Sequence, residues 1–286
     1  MTKLNKLSLA LAMAAAAVVS APASAITISF TAGDFKFNFD NYDAGTTGYS
    51  LGVCNSAAAC DDAASNPAPG GIGSEDTWGI FSIQSITKIS NNSNIYVKGQ
   101  DGTYLTGMFG GLTDELVYND GDDTKAFANG GWMKLYENTA DYTASQGPAG
   151  RLGTYDYNGI TNVGGTLLVD AVFAGSVDFL HPGYSYKTSY SNSDLSGLGR
   201  GFMDVIGGTW KSLLDTDSLT DLAGNTRDLY LTVSFDDANK QASNIGWTVT
   251  STGQVKGNVQ VPEPASLALL GLGLVGLAAA RRRKSV

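Results

Sequence analysis

Apolar and polar positions alternate along most of this chain, in short runs separated by turn-forming residues. In FKFNF, Phe35, Phe37 and Phe39 project to one side and Lys36 and Asn38 to the other, the period-2 pattern of a half-buried strand. WGIFSIQSITKI, residues 78–89, holds Trp78 and Ile80 in one phase and Ile83 in the other, which predicts a bend where the phase changes. Further strand-like runs cover 94–98, 103–108, 132–137, 167–173, 184–190, 202–206, 229–235, 247–252 and 254–261. The clusters at 98–102, Asn119-Asp120-Gly121 and Thr252-Gly253 read as turns. Residues 112–115 and 210–219 are the places for a helical turn. About a dozen short strands without a long amphipathic helix predict an all-β fold. The expected architecture is an antiparallel β-sandwich, jelly-roll-like or Ig-like.

The alternation stops at both ends. Lys3 and Lys6 precede an apolar stretch over 7–19, Pro22 breaks it, and Ala23-Ser24-Ala25 supplies small residues. That is a secretory signal peptide, residues 1–25, with Ala23 and Ala25 at the cleavage site. At the other end, VPEPASLALLGLGLVGLAAARRRKSV contains an uncharged run over 267–280. As a helix this run covers about 21 Å, short of the roughly 30 Å hydrocarbon core. Arg281, Arg282, Arg283 and Lys284 lengthen the span by snorkelling and orient it, since they stay on the cytoplasmic side. A single C-terminal transmembrane helix is therefore expected in the precursor. GLGLVG fits GxGxxG, but only a basic stub follows Gly276, so no βαβ unit surrounds it and it is not a dinucleotide site.

Pro262-Glu263-Pro264, a short apolar segment and the cluster Arg281, Arg282, Arg283 follow one another at the C-terminus. This succession resembles the PEP-CTERM sorting signal of Gram-negative bacteria. The resemblance implies recognition by an exosortase-type sorting enzyme, and a surface or matrix protein of exopolysaccharide- and biofilm-forming bacteria. The expected organisation is a signal peptide (1–25), an extracytoplasmic β-sandwich domain (26–259) and the sorting signal (260–286). The route runs through the Sec translocon and signal peptidase to an inner-membrane-anchored precursor, then to the cell surface or extracellular matrix.

Composition sharpens this picture once both ends are set aside. The 18 basic residues fall to 12 when Lys3, Lys6 and Arg281 to Lys284 are excluded, against 27 acidic ones, a net charge of −15. Such a surface repels phosphate, which argues against nucleic acid and anionic membranes as partners. Abundant Gly, Asp, Asn and Ser reads as turn chemistry. Cys54 and Cys60 are the two cysteines, and in an oxidising compartment they are expected to form a local disulfide in a Gly/Pro-rich surface loop.

The sequence offers little chemistry. His181, the single histidine, lies in a turn sequence without a GxSxG elbow, and one histidine makes no His-ligated metal cluster. Glu75-Asp76 and Asp114-Glu115 are the places for a glycosidase couple, with solvated loop charge the simpler reading. No cofactor is expected. Calcium is the metal for which candidates exist: Asp120, Asp122 and Asp123 around a Gly turn, and Asp215, Asp217 and Asp221 in DTDSLTD, although neither stretch matches an EF-hand. Tyr184, Tyr186 and Tyr190 fall on one face of a strand and are a candidate sugar platform, against core packing as the commoner use of tyrosine. The expectation is a non-enzymatic exported surface or matrix protein, structural or adhesive in exopolysaccharide. A lectin-like carbohydrate-binding module is the alternative, and a polysaccharide-acting enzyme the least favoured.

Overall fold

In the computed structural model, which describes residues 28–45, 54, 68–73, 75–191, 193, 196–237 and 240–260, Phe35, Phe37 and Phe39 are buried on one face of strand β1 (Gly33–Gly45). β1 pairs antiparallel with β2 (Thr77–Lys88) on one side and with the last strand on the other. Between them come β3 (Ser93–Val97), β4 (Tyr104–Asp120), β5 (Asp123–Asn138), β6 (Arg151–Gly153), β7 (Asp156–Tyr157) and β8 (Thr166–Ala174). β9 (Tyr186–Ser191), β10 (Gly197–Gly207), β11 (Leu219–Thr220), β12 (Thr226–Arg227), β13 (Leu229–Asp237) and β14 (Val249–Val259) follow, with short helices α1 (Lys211–Leu214) and α2 (Lys240–Asn244).

The order β1-β14-β13-β10-β8-β5-β4-β2 returns to β1, which closes an eight-stranded antiparallel barrel. The expected β-sandwich is thereby corrected: the main sheet closes on itself, and β6–β7 and β11–β12 form separate two-stranded sheets. β8 and β9 share one position in the wall. β8 bridges residues 132–137 of β5 to β10, and β9 bridges residues 123–128 of β5 to the other half of β10. Cys54 pairs with Val117 through two backbone hydrogen bonds of 3.0 and 3.1 Å, so part of the free edge of β4 is also occupied.

The phase change read in β2 is a bulge. Asn38 faces Ser85 and Phe39 faces Ile83, leaving Gln84 as the extra residue. Trp78 and Ile80 accordingly point out of the barrel, whereas Phe81, Ile83 and Ile86 join its interior. The outward group is covered by Ala68, Ile160 and Trp247 from loops, Tyr157 from the small β6–β7 sheet and Ala242 from α2. Trp78 and Trp247 lie 5.5 Å apart, and both indole N–H groups donate to backbone carbonyls, of Pro69 and Ala144, at 2.9 and 2.8 Å. One face of the wall lines a lumen, and part of the other lies under loops, the β6–β7 sheet and α2.

Two local expectations also change. Residues 112–115 continue β4 as strand, and Thr252-Gly253 lies inside β14. A Cβ at Gly253 would collide with the Phe39 ring, so this glycine makes room in the lumen where a turn was expected. One end of the barrel is capped by Phe30 and by Trp210, which meet edge-on at 5.0 Å, together with α1. Among the described residues no helix is long and apolar enough to cross a membrane; the expected transmembrane helix at 267–280 lies outside them.

Candidate functional site

Inward-facing positions of the strands enclose an apolar cavity of about 70 Å³. Phe81, Phe109, Leu135 and Val233 belong to its walls, and Asn41, Asp43, Thr77 and Tyr186 bring polar groups to it. Asn41 and Asp43 stand there because they continue the alternation of Phe35, Phe37 and Phe39: β1 turns from aromatic to polar without changing face. Asn41 Nδ2 donates to Asp43 Oδ1, and Ser251 Oγ donates to Asp43 Oδ2 at 3.2 Å. Burial pushes the Asp43 carboxyl up to about 7, against the opposing pull of those two hydrogen bonds. Burial also raises the Tyr186 phenol, helped by the nearby charges of Asp43 and Asp114. The arrangement is a mostly apolar chamber to which Asn41, Asp43, Thr77 and Tyr186 bring hydrogen-bonding groups. The readable signal for it was polar residues in the inward phase of an aromatic strand.

The tyrosines named from the sequence take different surroundings. Tyr186 packs edge-on against Phe173 at 5.7 Å on the lumen side. Tyr190 lies beside Phe235 at 6.4 Å, and burial pushes its phenol up to about 12. Tyr184 precedes β9 and packs on Phe127, which also carries the His181 ring at 4.6 Å. His181 Nδ1 lies 3.3 Å from Asp178 Oδ1.

The acidic stretches are distributed among separate partners. Asp120 pairs with Lys125 at the β4–β5 hairpin, whose tip carries Asp122 and Asp123. Asp215 pairs with Lys211, and Asp217 accepts from Thr226 Oγ at 3.0 Å. Burial opposes ionisation of Asp221, but hydrogen bonds from Asn225, Ala223 and Arg227 outweigh it and hold the carboxyl below its ordinary range. Among the described residues no group of three or more His, Cys, Asp or Glu side chains is placed to hold a metal ion. Glu75 is buried against Arg151, which also lies 4.5 Å over the Trp78 ring. Asp76 accepts the Asp114 N–H at 2.7 Å. Cys54 is buried with Val117 and Ala126. Cys60, the signal-peptide residues Ala23 and Ala25, and Pro262, Glu263, Pro264, Arg281, Arg282 and Arg283 lie outside the described residues.

Residues 260–284 match the family model of the PEP-CTERM protein-sorting motif. No curated protein and no solved structure matches the chain. The class defined by fold and motif is thus a closed antiparallel β-barrel bearing an export signal. The chain carries a PEP-CTERM sorting motif at its C-terminal end, and that motif indicates an exported surface protein processed by an exosortase.

Proposed function

We propose that this barrel is a non-enzymatic component of an exopolysaccharide matrix, with a structural or adhesive role and no cofactor. It would leave the cytoplasm through Sec, wait at the inner membrane as a precursor, and be cut near Pro262-Glu263-Pro264 before display or release. The observation that carries this reading is the sorting motif at 260–284. The barrel is consistent with life outside the cell. Closure pairs the eight strands in a ring, and the Cys54 bridge occupies part of the β4 edge that extends beyond it, which reduces the edges through which sheets aggregate. In β1 the phase is apolar inside and polar outside, the reverse of a membrane barrel: Lys36, Asn38 and Asp40 alternate with the buried phenylalanines.

The carbohydrate-binding reading has support of a different kind. A shallow groove of about 410 Å³ on the wall is lined by Asn38, Asp40, Gln84, Thr232, Thr252 and Gln254 among others. Amides and hydroxyls in such a strip suit sugar hydroxyls. The test is the intact mass of the protein from membrane, surface and matrix fractions, combined with matrix yield from a deletion strain. Mature protein beginning at Ile26, truncated near residue 262 and enriched in the matrix, with loss of matrix cohesion on deletion, is the expected result. Protein that still ends at Val286 in every fraction would defeat the processing scheme. Glycan-array binding lost in Gln254→Ala would favour the carbohydrate-binding reading over the purely structural one.

A further inference from the structure

The hydrogen-bonding groups of the lumen do not balance. Asn41 Nδ2 is committed to Asp43, and Asn41 Oδ1 is then buried without a hydrogen-bond partner within the protein. Native structures rarely leave a buried acceptor in that condition. With Asp43 ionised, turning the amide over offers no relief, because its oxygen would face the carboxylate; with Asp43 protonated, it would leave Asn41 Nδ2 as the buried group without a partner. Asp43 receives two hydrogen bonds, and no Lys, Arg or His is among the cavity-lining residues. Two buried acceptors on one strand therefore face an apolar chamber that supplies no cation.

We propose that the lumen binds a short primary alkylamine, its ammonium donating to Asn41 Oδ1 and Asp43 and its carbon chain lying among Phe81, Leu135 and Val233. An ammonium group carries three donors and no acceptor, which answers the imbalance directly. Its charge compensates a carboxylate that otherwise has no counter-ion in the lumen. Size limits the ligand. A cavity of 150 Å³ admits benzene, so one of about 70 Å³ suits roughly three or four non-hydrogen atoms. The net charge of −15 over residues 26–264 acts in the same direction, concentrating small cations near the surface and repelling carboxylates. This inference stands apart from the matrix role and does not depend on it.

The probes are n-propylamine, 1-propanol and propionate, titrated separately into the isotope-labelled, processed protein and followed by amide NMR shifts. The amine is expected to give saturable shifts at Asn41 and Asp43. The alcohol should bind about tenfold more weakly, as loss of a charge-assisted hydrogen bond implies, and propionate should give no saturable shift. Asp43→Asn should bring amine and alcohol to about equal affinity. Val233→Phe, which fills the chamber from β13, should abolish both and serves if the first variant fails to fold. Non-saturating amine shifts, equal binding of all three probes, or an amine-soaked crystal with only water at Asn41 Oδ1 would overturn the proposal.

Discussion

Asp43 is placed where ionisation is most costly, and the sign of its effect on stability follows from that. Its carboxyl is pushed up to about 7 by burial, above the ordinary 3.8. Between those values the folded state binds a proton that the unfolded state has released. Stability is therefore greatest at the acid end, falls as pH rises toward 7, and stays low above it. Asp43→Asn removes the titration and keeps acceptor and donor positions for Asn41 and Ser251. The variant should be more stable than the parent at pH 8, by on the order of 4 kcal/mol at most, and nearly equal to it at pH 4. Urea denaturation at the two pH values measures the difference, and an equal gain at both would assign the effect to packing. At this scale the sequence was legible only in part. The inward phase of Phe35, Phe37 and Phe39 could be read directly, and extending it by two more steps reaches Asn41 and Asp43. Gly253 misled, because turn and close packing use the same residue. Gly107, Gly199 and Gly253 lie inside strands, where a Cβ would strike Phe81, Tyr186 and Phe39 respectively.

Most strands were recognisable as elements, but their lengths and partners were not. Residues 103–108 mark only the start of β4, which runs on to Asp120 through Gly110 and Gly111 and past a bulge at Glu115. Polar and glycine positions interrupt the local pattern there, while pairing with β5 holds the strand extended. The loop layer outside the wall was invisible because its order comes from tertiary contacts. Its polar anchor is the Glu75–Arg151 pair, with both side chains almost fully buried. Glu75 also accepts the N–H groups of Ile72 and Gly111, and Arg151 donates to the Gly70 and Thr154 carbonyls. One carboxylate in this way fastens the loop to β4. Arg151→Met should cost about 3–5 kcal/mol, because it strands a buried carboxylate. Arg151→Met combined with Glu75→Gln should recover a substantial part of that loss. Thermal melts of the single and double variants decide the matter: equal destabilisation would mean that Arg151 acts through its packing on Trp78 alone.

Closure is a property of the whole chain, and no window of sequence contains it. It requires β1 to pair with both β2 and β14, strands that lie on opposite sides of it in space and, for β14, more than two hundred residues away in the chain. The sorting motif is the opposite case: a short linear address, readable without a fold. Fold and address meet at one point. Val259 ends β14 opposite Gly33, and the Gln260 N–H donates to the Leu213 carbonyl at 2.9 Å, beside the end capped by Phe30 and Trp210. Pro262 follows two residues later. An extended chain advances at most about 3.6 Å per residue, so the motif begins within roughly 7 Å of the closed barrel. A sorting enzyme acting on folded substrate must therefore work against the capped end. A Gly/Ser spacer of about ten residues inserted after Gln260 would remove that crowding without touching either the barrel or the motif. Pulse-chase labelling should then show faster conversion of precursor to mature protein, with the same cut site by mass. An unchanged rate would mean that the barrel end does not limit access. A slower rate would mean that the enzyme uses the capped end as part of its recognition surface.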